Sequence, residues 1–161
     1  MGLQSGTPLW ASLLLSVGAV AATHFLTRWR ESDKRKKDYL DAWLEDAESL
    51  LASISDEAVA YYSDPKLLES TPAASQRILH LLKRFGWKIR DVKFVDANES
   101  KELMVLNGEL RDIITLPDDF GDQTRVIRGL KDELLERIRE VEGQLRANLR
   151  KPRRVKKKGE K

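Results

Sequence analysis

The first 27 residues contain no Lys, Arg, Asp or Glu. Within them, residues 8–27 read PLWASLLLSVGAVAATHFLT, long enough to cross a hydrocarbon core that takes about 20 apolar residues as a helix. Trp10 and Trp29 bracket the stretch; at about 1.5 Å per helical residue their indoles stand roughly 28 Å apart, the spacing of two interfacial aromatic belts. Residues 8–28 are therefore expected to form a transmembrane helix. Ala19-Val20-Ala21 resembles a signal-peptidase site, but no basic residue precedes the apolar run and the run continues through Phe25 and Leu26, which favours a retained anchor.

The basic residues nearest the span, Arg28, Arg30, Lys34, Arg35, Lys36 and Lys37, all follow it. The positive-inside rule then places the N-terminus outside and the C-terminal domain in the cytoplasm. Small residues at four-residue spacing, Ser12/Ser16 and Gly18/Ala22, would let a second membrane helix approach closely, so homo-oligomerisation through this face is one expectation. His24 is the one ionisable side chain within residues 8–27. Lying less than two turns from Arg28, it is expected at the interface with Trp10, Trp29, Arg28 and Arg30 rather than in a proton relay.

A formal net charge of +3 conceals strong segmentation. Residues 28–37 hold six basic and two acidic side chains, and residues 150–161 hold eight and one; the body between, 38–149, holds 15 basic and 23 acidic, a net charge of −8. Two basic patches flank an acidic body. The expected organisation is a short non-cytoplasmic tail (1–7), a transmembrane helix (8–28), a basic juxtamembrane collar (29–37), a cytoplasmic helical bundle (38–149) and a disordered basic tail (150–161).

Apolar spacing predicts the body to be all-α. Leu40, Trp43, Leu44, Ala47, Leu51, Ile54, Ala58, Tyr61 and Tyr62 form one helical stripe opposite Asp41, Glu45, Glu48 and Ser55. With no Gly or Pro between Ala19 and Asp64, this helix is expected to continue from the membrane helix and stop before Pro65. Thr71-Pro72 reads as the N-cap and first residue of a second helix carrying Ile78, Leu82, Phe85, Ile89 and Val92, weakened or broken at Gly86. Asp96 and Glu99 resemble a capping box before a third helix with Leu103, Leu106, Leu110 and Ile113. After a loop at 116–122, Ile127, Leu130, Leu134, Ile138, Val141, Leu145 and Leu149 read as a fourth, capped by Asp122. Val92 to Val95 is a weak candidate strand. The sum is a single N-terminal transmembrane helix, an antiparallel bundle of about four helices and a disordered basic tail. An intermolecular coiled coil through the first and last stripes is the alternative.

Candidate chemistry is sparse. The chain has no Cys and two His, which removes cysteine nucleophiles, disulfides and cysteine-based metal sites. Asp118, Asp119 and Asp122 lack the spacing of a calcium loop. No phosphate-binding glycine loop, nucleophile elbow or zinc signature occurs. Tyr61, Tyr62 and Trp87 read as core or rim aromatics before they read as a ligand pocket, and His80 lies among Gln76, Arg77, Lys83 and Arg84 on a polar face. No cofactor, metal or small-molecule substrate is expected.

Arg153, Arg154, Lys156, Lys157 and Lys158 form a run without apolar support, suited with Lys34, Arg35, Lys36 and Lys37 to anionic lipid. Nucleic acid is a less favoured polyanion, since no aromatics interleave the cations for base stacking. The expected function is a non-enzymatic, single-pass membrane protein whose bundle scaffolds or recruits a protein partner. The alternatives are an envelope-spanning, spanin-like coiled coil, nonspecific nucleic-acid tethering at the membrane, and a membrane-tethered enzyme built on the acidic loop.

Overall fold

A computed structural model describes residues 9–91 and 97–151, with side-chain surroundings for 24, 27–91 and 98–151. Four α-helices occur among the described residues: α1 (Leu9–Ser63), α2 (Thr71–Arg90), α3 (Ala97–Thr115) and α4 (Glu133–Leu149), with a 3-10 turn at Pro65–Leu67. The chain divides into two compact units within α1, Met1–Asp41 and Ala42–Lys161.

In the first unit the helix is unbroken from Leu9, as the absence of Gly and Pro after Ala19 predicts. His24, Arg28, Trp29 and Arg30 are exposed. So are Lys34, Arg35 and Lys37, whereas Lys36 is half-buried; Glu31 pairs with Arg35 at 3.6 Å and Asp33 with Lys36 at 3.7 Å. Among the described residues no helix is long and apolar enough to cross a membrane. The side chains of Trp10, Ser12, Ser16, Gly18 and Ala22, which carry the membrane reading, lie outside the described residues.

The second unit is a helical bundle. Trp43 Nε1 donates to the Lys88 carbonyl at 3.0 Å and Arg77 bonds Glu57 at 3.2 Å, so α2 runs back along α1. Ser100 Oγ donates to the Ile89 carbonyl, which starts α3 beside the end of α2. Lys151 meets Glu102, and Arg150 holds Glu48 through two bonds of 2.5 and 3.0 Å, which brings the end of α4 to the start of α3 and to α1. Successive helices are therefore antiparallel.

The stripes supply the core. Trp43, Ala47, Leu51, Ile54, Ala58, Tyr61 and Tyr62 from α1 are buried with Ile78, Leu82, Phe85 and Ile89, with Leu103, Leu110 and Ile114, and with Leu135, Ile138, Val141, Leu145 and Leu149. The α1 and α4 stripes are thus occupied within one chain and are not left over for an intermolecular coiled coil. Helix α2 passes through Gly86 without a break, and a Cβ built there would stand 3.3 Å from Asn107 Nδ2 of α3. The glycine admits close helix approach.

Several details differ from the periodicity reading. Ser55, expected on the polar face, is buried. Ser70, not Thr71, is the N-cap of α2, and Thr71 is buried with its hydroxyl turned back to the Leu68 carbonyl at 2.8 Å. Helix α4 starts at Glu133, capped by Asp132, whose carboxylate accepts from the Leu134 amide at 2.9 Å. Ile127 and Leu130 belong to the preceding loop, and Asp122 instead accepts from the Thr124 amide and hydroxyl. Asp96, Val92 and Val95 lie outside the described residues, as do the tail cations from Arg153 onward.

Leu51 is fully buried in the shared core. Leu51→Ala is expected to lower unfolding free energy by about 2–5 kcal/mol, while Gly108→Ala, where an added Cβ meets nothing within 4 Å, raises it by about 0.5–1 kcal/mol. Urea denaturation followed by circular dichroism measures both.

Candidate functional site

Two features of the bundle lie beyond its apolar core: a polar latch where α1 ends, and an open furrow along α3 and α4.

The latch begins with a backbone requirement. A helix leaves its last carbonyls without internal partners, and α1 ends at the fully buried Tyr61 and Tyr62. The loop between α3 and α4 supplies those partners. The Arg125 Nε donates to the Tyr61 carbonyl at 2.8 Å, and the Arg128 amide donates to the Tyr62 carbonyl at 2.8 Å. Arg125 is 3% exposed; its Nη1 also donates to the Thr71 hydroxyl, and its guanidinium lies 4.1 Å from the centre of the Tyr61 ring. The tyrosine hydroxyls complete the closure, with Tyr62 donating to the Ile114 carbonyl at 2.6 Å and Tyr61 accepting from the Gly121 amide at 2.7 Å. Gly121 has φ +89°, a left-handed conformation that suits glycine.

Arg128 pairs with Asp119 at 3.5 Å and Asp132 at 3.6 Å. Burial, reinforced by the Asp119 charge, pushes the Tyr62 phenol far above its ordinary range. The three loop carboxylates are thus dispersed among different tasks: Asp119 binds Arg128 and the Val126 amide, Asp122 caps a turn, and Asp118 is exposed. Among the described residues no group of three or more His, Cys, Asp or Glu side chains is placed to hold a metal ion.

The furrow is formed by faces that the core does not use. Near the start of α3 it is lined by Asn98, Lys101, Glu102, Val105, Leu106, Asn148 and Lys151, with a volume of about 490 Å³. Val105 also belongs to a second stretch of about 610 Å³, with Gly108, Glu109, Ile113, Leu116, Leu134 and Arg137 among its walls. Val105 is 64% and Leu116 72% exposed, while Leu106, Ile113 and Leu134 are half-buried against the core beneath. The two stretches share Val105 and flank α3 from Asn98 to just past its end, with Leu134 and Arg137 of α4 in one and Asn148 in the other.

The structure does not gather Tyr61, Tyr62 and Trp87 into a pocket. The tyrosines are buried, whereas Trp87 is half exposed beneath Lys83, whose Nζ lies 4.9 Å from its ring. His80 is exposed, as its polar surroundings predict. Arg150, read as the first tail residue, is instead the C-cap of α4 and the partner of Glu48; that contact holds the Glu48 carboxyl below its usual range. Periodicity overlooked both the latch and the furrow. For the furrow a signal existed: Val105 and Leu116 are apolar yet fall off the α3 core stripe. Nothing local marks Arg125 as buried.

Comparison with protein-family models, with curated proteins and with solved structures gives no match for this chain.

Two outcomes follow for the latch. Arg125→Ala strips the Tyr61 carbonyl of its donor and is expected to cost about 2–3 kcal/mol, read as a lower urea midpoint. A phenol that stays protonated in the folded state while the unfolded one ionises loses stability as pH rises, so stability should fall above the ordinary tyrosine value of 10.0. Tyr62→Phe should flatten that decline in urea titrations at alkaline pH.

Proposed function

We propose that this chain is a membrane-anchored helical interaction protein without catalytic activity, whose residues 8–28 cross the bilayer and whose bundle presents the α3–α4 furrow to a cytoplasmic protein partner. The observation that carries the reading is the furrow. It places Val105 and Leu116, two strongly exposed large apolar side chains, in one open groove with half-buried Ile113 and Leu134. Exposed apolar side chains gathered in one groove offer a surface that a partner can cover. The latch, by contrast, directs its hydrogen bonds to the chain's own backbone, which is the pattern of a structural closure.

The anchor reading is supported by the charge-free residues 1–27 and by the cations that follow them. Near an anionic leaflet each such cation contributes about 1 kcal/mol. The tail run Arg153, Arg154, Lys156, Lys157 and Lys158 adds a second contact of the same kind.

A C-terminal green fluorescent protein fusion should fluoresce, and an alkaline phosphatase fusion should be inactive; phosphatase activity would reverse the topology and favour the envelope-spanning alternative. For the tail, a fragment beginning at Ala42 should bind vesicles containing phosphatidylserine, and lose most of that binding on deletion of residues 152–161 or on raising salt from about 0.05 to 0.5 M. Binding that ignores salt would overturn the electrostatic contact.

A further inference from the structure

We infer that the stretch of the α3–α4 furrow from Val105 to Leu116 is the seat of an amphipathic helix from a protein partner, with a basic side chain on its flank beside α3 and an acidic side chain on its flank beside α4. This deepens, and rests on, the interaction reading above. From Val105 to Leu116 the groove runs about 16 Å at 1.5 Å per residue, room for roughly three turns of a helix laid in by its apolar face with anchors three and four residues apart.

Gly108 lies in the interior of α3 and lines the furrow, where a Cβ would meet nothing within 4 Å; a bulky side chain at this position would fill the groove.

The rims select the polarity of the occupant. Glu109 and Arg137 line the same groove, and among the described residues neither forms an ion pair. Asp112, on the Glu109 side, is already bonded by Arg111 at 2.8 and 3.0 Å. Toward the other end Lys101 and Glu102 both line the groove from α3, with Lys151 opposite and 3.7 Å from Glu102, so that end carries no single sign. An occupant that covers the Glu109 end has to bring a cation to Glu109 and an anion to Arg137, or strand a charge. A helix with flanks of opposite sign does so in one orientation along the furrow.

The test uses the full chain in its native membrane, with the photoreactive amino acid p-benzoylphenylalanine at Leu116 and, separately, at Leu79 on α2. After irradiation, the crosslinked peptide is sequenced by mass spectrometry. The expected result at Leu116 is a single protein segment of helical apolar spacing, with Lys or Arg on one flank and Asp or Glu on the other. Its yield should fall at least tenfold in Gly108→Trp, and in the charge-reversed Glu109→Lys/Arg137→Glu protein should the tryptophan variant not fold by circular dichroism. Crosslinks at Leu116 to lipid, to another copy of this chain or to a segment without that pattern overturn the inference, as does a yield that neither variant lowers. Protein crosslinks at Leu79 alone overturn the furrow while leaving the interaction reading intact, and protein crosslinks at neither position overturn both.

Discussion

Helix α1 ends inside the protein, and the rest of the bundle is arranged around that fact. Its final turn places Tyr61 and Tyr62 at full burial, where carbonyls left without donors would each cost about 1–3 kcal/mol. Water cannot serve that purpose in a packed interior, so another part of the chain must. The loop between α3 and α4 therefore returns to the end of α1, and an arginine enters the interior with it. The Arg125 Nε and Nη1 donors meet the Tyr61 carbonyl and the Thr71 hydroxyl and its face lies on an aromatic ring, while its Nη2 is buried without a partner among the described residues. The same closure ties down the start of α2 and the end of α3, since Thr71 and the Ile114 carbonyl both bond to it.

Once that end is closed, the helices are positioned by interlocking apolar stripes. Helix α3 leaves part of its apolar surface over. Its core face carries Leu103, Leu110 and Ile114, while Val105, and Leu116 just past its end, are strongly exposed. The surplus has an energetic meaning: apolar area left in water contributes nothing to folding, at about 25 cal/mol per Å² forgone. The functional reading of the bundle grows from that surplus, because the remaining polar machinery is occupied in holding the chain together.

How much of this could be read beforehand depends on the range of the interaction. Core stripes are local patterns, and Ile54, Phe85, Leu110 and Ile138 are buried where periodicity places them. The early start assigned to α4 failed for a tertiary reason. Ile127 and Leu130 continue the spacing, but Arg125 and Arg128 are drawn to the end of α1, more than 60 residues away, and the helix begins only after that obligation is met, at Glu133. Burial of Arg125 was invisible because a lone arginine in a loop has no sequence signature. The furrow was half visible, since Val105 and Leu116 stood off the stripe, yet only the packing of α3 against α4 turns them into one groove.

The paired bonds between Glu48 and Arg150 join residues 102 positions apart. They close the bundle into a ring, with the chain entering and leaving at one pole and the latch at the other. A fold with adjoining entry and exit tolerates being cut elsewhere and rejoined at that point, because the new connection has only a short gap to cross. It also tolerates being spliced into the loop of a host protein. In this bundle such a cut has to spare the α3–α4 loop, whose Arg125 and Arg128 form the tyrosine closure.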